Sequence, residues 1–173
     1  TITIPNGIWD ELFGLFREYH WAIHEDKGGL DSLTPEILGH IFEKAVNQKA
    51  SGAYYTPSQL TSYMAENTVN RLVVEKFNTE FNESVETGNE IITSKNPTFC
   101  EWLYENCLSN LKILDNACGS GAFLLSIANI LFEYYKDVLS FLITANDKYR
   151  NSIDKNLNYF IKKKIITENI HGV

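Results

Sequence analysis

Residues Asp115-Asn116-Ala117-Cys118-Gly119-Ser120-Gly121-Ala122-Phe123 follow directly on the apolar run Leu111, Ile113, Leu114. The order reads as a short buried strand ending in an acid, a glycine turn, and an apolar helix. Gly119 and Gly121 permit positive φ and let a ligand approach the backbone closely. The helix that follows offers unpaired N–H groups and a positive dipole end, which suit a carboxylate or a phosphate. Asp115, at the strand end, can accept hydrogen bonds from an ammonium group. Such a turn at the carboxyl edge of a parallel sheet suits a small zwitterionic or nucleotide-like ligand.

The neighbouring residues narrow the ligand. A P-loop ends in Gly-Lys-Ser/Thr, whereas Gly121 is followed by Ala122-Phe123. A dinucleotide turn wants glycine or alanine three residues after Gly121, and that residue is Leu124. An ammonium and a carboxylate side by side describe the methionine end of S-adenosylmethionine, with its cationic sulfonium beside them. The plainer alternative is a tight strand-to-helix turn that holds nothing. A second signature, Gly52-Ala53-Tyr54-Tyr55-Thr56-Pro57, lies upstream.

Helices must position both signatures. From Asp10 to Glu25, the residues Leu12, Phe16, Tyr19 and Ile23 form one helical stripe, which Gly28-Gly29 ends. Thr34-Pro35 opens a second helix, with Leu38, Ile41, Phe42 and Ala45 on its buried face. Lys49 to Tyr55 reads as a loop. Thr56-Pro57-Ser58-Gln59 fits a capping box, so a third helix is expected from Pro57 to Phe77, burying Leu60, Met64 and Leu72. Thr79 to Thr98 is polar and reads as a long, weakly ordered surface loop. Helix is expected again over Phe99–Leu108, strand over Leu111–Asp115, and helix over Gly121–Val138. The last has Leu124, Ile127, Leu131, Tyr134 and Val138 on one stripe. One further helix covers Asn146 to Lys163, and Asn169-Ile170-His171-Gly172-Val173 reads as a second strand.

The chain has 173 residues, 44% of them hydrophobic and 21% charged, as expected for a globular domain with its own core. No run approaches the length of a membrane span, and the start Thr1-Ile2-Thr3-Ile4-Pro5 lacks the features of a signal peptide. Cys100, Cys107 and Cys118 have neither metal nor disulfide spacing, which points to a reducing, cytoplasmic setting. The net charge is −7. Non-specific DNA affinity comes from neutralising phosphates, so an acidic chain is a poor DNA binder by itself. The one basic run, Lys162-Lys163-Lys164, reads as a solvated helix face. His20 and His24 have a helical zinc spacing but no evident third ligand, and no metal is expected.

The residues Asp115 to Leu124 resemble the S-adenosylmethionine-binding motif I of adenine-specific DNA methyltransferases. The likeness is to large restriction–modification enzymes that fuse methyltransferase and nuclease, and to related phage-defence methyltransferases. Gly52 to Pro57, centred on Tyr55-Thr56-Pro57, resembles the motif X that precedes motif I in that family, and Leu33 to Glu43 resembles the helical segment leading into it. The resemblance covers Leu33 to Val173. It implies an α/β fold: a helical N-terminal part over 1–48, and over 49–173 the beginning of a Rossmann-like methyltransferase domain, truncated and mostly helical. It implies S-adenosylmethionine as cofactor, with Asp115 near the methionine ammonium. Ala117, Cys118, Gly119 and Gly121 would line the methionine end through their backbone, with Ser120 in the same turn. Phe123 would pack beside the cofactor. Tyr55 and Thr56 would touch it from the other side, with Pro57 starting the helix behind them. Motif I commonly has proline where this chain has Asn116.

The family's catalytic Asn/Asp-Pro-Pro-Tyr/Phe is absent, and no catalytic residue is assigned. Asn96-Pro97-Thr98-Phe99 is the nearest string, but it precedes motif I and lacks the second proline. The family's next motif reads Gly-Val-Asp or Gly-Val-Glu, its acid holding the ribose, and this sequence ends at Gly172-Val173. The implied activity is methyl transfer to the exocyclic amino group of adenine in double-stranded DNA, performed by a longer parent protein. The 173 residues by themselves are expected to be inactive. A methyltransferase for another substrate, or a helical interaction module, are the alternatives.

Overall fold

The computed structural model describes residues 6–21, 32–34, 37–39, 41, 56–153 and 156–173. Two compact units divide at Tyr55/Thr56. The described part is mostly helical, with small parallel sheets of two strands each.

In the first unit, α1 spans Asn6–Glu18 and ends sooner than its stripe predicts. Tyr19 lies beyond it, and His20–Trp21 forms β1, paired in parallel with β2, Ser32–Leu33. Extended pairing takes the chain where the spacing predicted helix. Thr34 is buried and caps a helical turn as expected: its Oγ1 accepts from the Ile37 N–H at 3.3 Å, and its carbonyl from Leu38. Ile41, expected to be buried, is exposed. Ile23, His24, Gly28-Gly29, Phe42, Ala45 and the loop 49–55 lie outside the described residues.

The second unit is built on two long helices, α2 (Ser58–Phe81) and α5 (Ala122–Ala145). Thr61 Oγ1 and Ser126 Oγ stand 2.8 Å apart, and Tyr134 OH donates to Asn70 Oδ1 at 2.8 Å. Both pairs advance along both helices, so α2 and α5 run in the same sense. Thr61, Ala65, Val69, Val73 and Phe77 form the buried stripe of α2. The predicted stripe was out of phase: Leu60 and Met64 are exposed, and Leu72 is half-buried. The first half of α2 is apolar on more than one side, so spacing alone did not select the inward face. The predicted α5 stripe holds and the helix runs further, with Leu131, Tyr134 and Val138 buried beside Leu139 and Leu142.

The segment Thr79–Thr98 is not a loop of weak order. α2 stops at Asn82, which adopts the left-handed conformation (φ 52°). The Asn78 amide then clamps the Val85 backbone in both directions at 2.9 Å. Thr87 and Glu90 form a capping box that starts α3, Gly88–Thr93, and Ile91 is driven into the core. Asn96 caps α4, Pro97–Trp102, by accepting from the Thr98 N–H at 3.0 Å. That cap is the structural role of the Asn-Pro-Thr-Phe string. Phe77, Phe81, Phe99 and Trp102 pack with centroids 4.8–5.8 Å apart. A π-helical segment, Leu103–Leu108, continues α4 and buries Leu103, Cys107 and Leu108.

β3 is Ile113–Asp115, shorter than expected and only half covered, since Leu114 is exposed. The helix expected over Asn146–Lys163 is two: α6 (Asp147–Ser152), capped by Asn146, and α7 (Leu157–Lys164), capped by Asn156. A further π segment, Ile165–Asn169, leads into β4, Ile170–Gly172. The second strand expected near the C-terminal end is present, and it pairs with β3 in parallel, with Asp115 opposite Gly172. The lysine run is less solvated than expected. Lys164 is mostly covered and bonds Glu168 at 2.6 Å, and Lys162 lies 5.7 Å from the Phe132 ring centroid. Among the described residues, no helix is long and apolar enough to cross a membrane.

Candidate cofactor-binding turn

The turn between β3 and α5 is held by its own backbone. Asp115 Oδ1 accepts the Ala117 N–H at 3.1 Å, so the carboxylate folds the chain back over the strand end. The Gly121 N–H donates to the Cys118 carbonyl at 2.7 Å. Gly119 (φ 53°) and Gly121 (φ 86°) both occupy the left-handed region, which a side chain would strain. β4 grips the same turn from the other side. The Val173 N–H donates to the Asp115 carbonyl at 3.0 Å, and the Cys118 N–H to the Val173 carbonyl at 3.2 Å.

The turn suits a group that is both ammonium and carboxylate. Leu125 bonds back to the Gly121 carbonyl at 2.9 Å. The N–H groups of Ala122, Phe123 and Leu124 precede that bond and are left by helix geometry to meet an acceptor. A Cβ built on Gly121 meets nothing within 4 Å, so there is room over the turn. The second oxygen of Asp115 has no partner among the described residues and can receive an ammonium. Ala117 and Gly119 are exposed, whereas Cys118, Ser120 and Phe123 are half-buried.

Thr56 and Pro57 lie in the same unit, at the head of α2. The expected capping box does not form: Pro57, not Thr56, is the N-cap residue, and no side chain caps the helix. Its carbonyl accepts from the N–H groups of Leu60 and Thr61 at 3.0 and 3.1 Å. The proline has no N–H and sets the helix start one residue later than predicted. Thr61 stands one turn into α2 and Ser126 one turn into α5, and their hydroxyls touch. The parallel helices therefore begin at the same end, and Thr56-Pro57 stands level with the glycine turn. Tyr55 lies outside the described residues.

Sequence reasoning missed a groove of about 640 Å³ between α2, α3 and α5. Glu66, Glu86, Glu133 and Asp137 line it over Tyr134, and none of Asp115–Phe123 does. Burial pushes the Tyr134 phenol up to about 12. Four acids with no basic residue in the lining would repel a phosphate backbone. Elsewhere, Glu105 is held below the usual carboxylate range by hydrogen bonds from Lys148 and Tyr149. Among the described residues no group of acids, histidines and cysteines could hold a metal.

No family model matches the chain, and no solved structure does. Among curated proteins it is similar to one from Methanocaldococcus jannaschii described as a "putative type II restriction enzyme and methyltransferase". The two are 31% identical over 186 aligned residues, which cover 97% of this chain. The chain spans about 15% of the length of that relative.

Proposed function

We propose that residues 49–173 are the S-adenosylmethionine-binding part of a DNA adenine methyltransferase of the restriction–modification type, with residues 1–48 as a helical lead-in. The observation that supports this most is the glycine turn Asp115–Phe123 at the carboxyl end of a parallel strand. Thr56-Pro57, the described part of the upstream signature, is level with it at the head of α2. Similarity to a relative described as both restriction enzyme and methyltransferase agrees with the reading. The β3–α5–β4 unit is then the start of a Rossmann-like sheet.

In this reading Asp115 takes the methionine ammonium, and the first N–H groups of α5 take its carboxylate. Thr56 and Phe123 close the sides, with Pro57 behind; Tyr55 is assigned to this site by the resemblance alone. The backbone of Ala117, Cys118, Gly119, Ser120 and Gly121 forms the floor. The cofactor, when bound, supplies an electrophilic methyl group, and the chain's own contribution is to orient it. The acceptor is an adenine flipped out of duplex DNA, which the whole protein would hold. The setting is cytoplasmic.

Titration calorimetry of the chain with S-adenosylmethionine tests this. Asp115→Asn keeps an acceptor for the Ala117 N–H and loses the charge, whereas Asp115→Ala loses both. The Asn variant is expected to bind about tenfold more weakly, in line with about 1.4 kcal/mol for a lost charged hydrogen bond, and the Ala variant more weakly still. Equal affinity in all three proteins would refute the assignment of Asp115.

A further inference from the structure

The bonds from Val173 to the glycine turn bring β4 close to it, and Gly172 lies against Leu124 and Cys118. A Cβ there would stand 2.9 Å from Leu124 Cδ1, 3.0 Å from Cys118 Sγ and 3.2 Å from Cys118 Cβ. Carbon atoms in good contact are about 3.5–4.0 Å apart. Leu124 Cδ1 is the far end of a flexible side chain and can swing away. Cys118 Cβ is fixed to the backbone of the turn, so a methyl group on Gly172 moves the turn itself.

We propose that Gly172 is a positioning residue: its missing side chain lets β4 seat Cys118, and this contact sets the shape of the glycine turn. The consequence for cofactor binding rests on the function proposed above, whereas the contact itself does not. Cys118 belongs to the turn by its backbone and to the strand contact by its thiol. Any residue larger than glycine at position 172 pushes the Cys118 N–H away from the Val173 carbonyl and tilts the turn it closes.

The three cysteines make the test possible. Cys100 and Cys107 are buried, and Cys118 is half-buried, so a thiol reagent on the native chain should reach Cys118 first. In Gly172→Ala, modification at Cys118, located by mass spectrometry, should speed up by about threefold or more as access opens, with Cys100 and Cys107 unchanged. Affinity for S-adenosylmethionine should fall by about tenfold, as a displaced binding group implies. Equal acceleration at all three cysteines signals general loosening and overturns the proposal, as does an unchanged Cys118 rate. If Gly172→Ala does not fold, the double variants decide. Recovery in Cys118→Gly/Gly172→Ala, which removes both the Sγ and the Cβ that the new methyl would meet, supports the contact with Cys118. Recovery only in Leu124→Ala/Gly172→Ala overturns it. A wild-type chain that binds no S-adenosylmethionine refutes the cofactor reading and leaves the Cys118 rates to judge Gly172.

Discussion

Asn169 is the most exacting buried polar residue of the second unit, and its replacement gives a measurable prediction. It is fully buried at the end of the π segment that leads into β4. Its Nδ2 donates to the carbonyls of Leu108 and Leu111, both at 2.8 Å, and its Oδ1 accepts from Tyr135 OH at 3.1 Å. One amide thereby ties the end of a π segment, the approach to β3, the start of β4 and the middle of α5. Asn169→Leu keeps the branching and the number of heavy atoms and deletes all of these bonds. The Leu108 carbonyl keeps the Leu111 N–H as a partner at 3.2 Å, which limits the damage there.

At about 1 kcal/mol net for each bond, and somewhat more for a group left unpaired in the core, the loss is about 3 kcal/mol. Small domains have only about 5–15 kcal/mol in total. In urea, with a slope of about 2 kcal/mol per molar, the unfolding midpoint should drop by about 1.5 M. Circular dichroism across a urea series measures this. Tyr135→Phe keeps both amide donations of Asn169 and removes only the interactions of the phenol, with Asn169 and with Ser109, and should cost about 1 kcal/mol. Asn169→Asp should be worst at neutral pH and recover towards acid. Its carboxylate would face two carbonyls, which raises its folded pKa, so stability is present at low pH and lost as the pH rises through that value. A midpoint for Asn169→Leu within about 0.3 M of the wild type would refute the clamp.

Gly121→Ala should cost about 1 kcal/mol, because φ is 86° but no atom lies within 4 Å of the new methyl. Thermal melts would show it, and a loss above about 3 kcal/mol would mean that a clash, not the dihedral, decides. Burial raises the phenols of Tyr134, Tyr135 and Tyr149, Tyr134 to about 12. Their neutral forms persist in the folded chain where the unfolded chain ionises, so this stability is complete below pH about 10 and is lost as the pH rises towards 12. Absorbance at alkaline pH should show these rings ionising together with unfolding, and smooth ionisation of all nine tyrosines before unfolding would contradict it. Glu105 acts at the other extreme. Its lowered pKa gives a contribution present above the ordinary carboxylate value and lost as the pH falls through the folded one, and Lys148→Met should flatten that dependence. Because Glu105 is 42% exposed, the effect is small.

What could be read from the sequence was local. β3, its turn and α5 are contiguous, and each announces the next: an apolar run, an acid, two glycines, an apolar stripe. The existence of β4 could also be read, from a short apolar segment after a helix, although its pairing with β3 could not. The phase of α2 did not. Thr61 faces inward because Ser126, on another helix, meets it, and no spacing within α2 encodes that bond. The order in Thr79–Thr98 was present in the sequence as Thr87-Gly88-Asn89-Glu90, a capping box hidden in a polar stretch. The same holds for Asn156, whose side chain accepts from the Tyr159 N–H at 3.1 Å and starts a new helix where one continuous helix was expected.

The same-sense packing of α2 and α5 bears on what the turn can bind. Two parallel helices side by side place like dipole ends together, a mild repulsion that the shared core of Val69, Val73, Leu131 and Val138 must outweigh. A ligand carboxylate at that end would meet the positive ends of both helices at once. Each such interaction is worth about 0.3–1 kcal/mol at an exposed site and is weakened by salt. A cation at the same end would meet the same field with the opposite sign, so the ammonium must sit on the strand side, at Asp115. On the proposed function the two charges of the ligand are divided, with the helix heads taking the anion and the strand end the cation. Raising the salt from 0.05 to 0.5 M should therefore weaken S-adenosylmethionine by only a few fold, since the contacts of its ammonium and carboxylate are screened together and the sulfonium leaves a single net positive charge. A loss of about a hundredfold would mean that the ligand is held as a net charge, and this division of labour between helix and strand would be wrong.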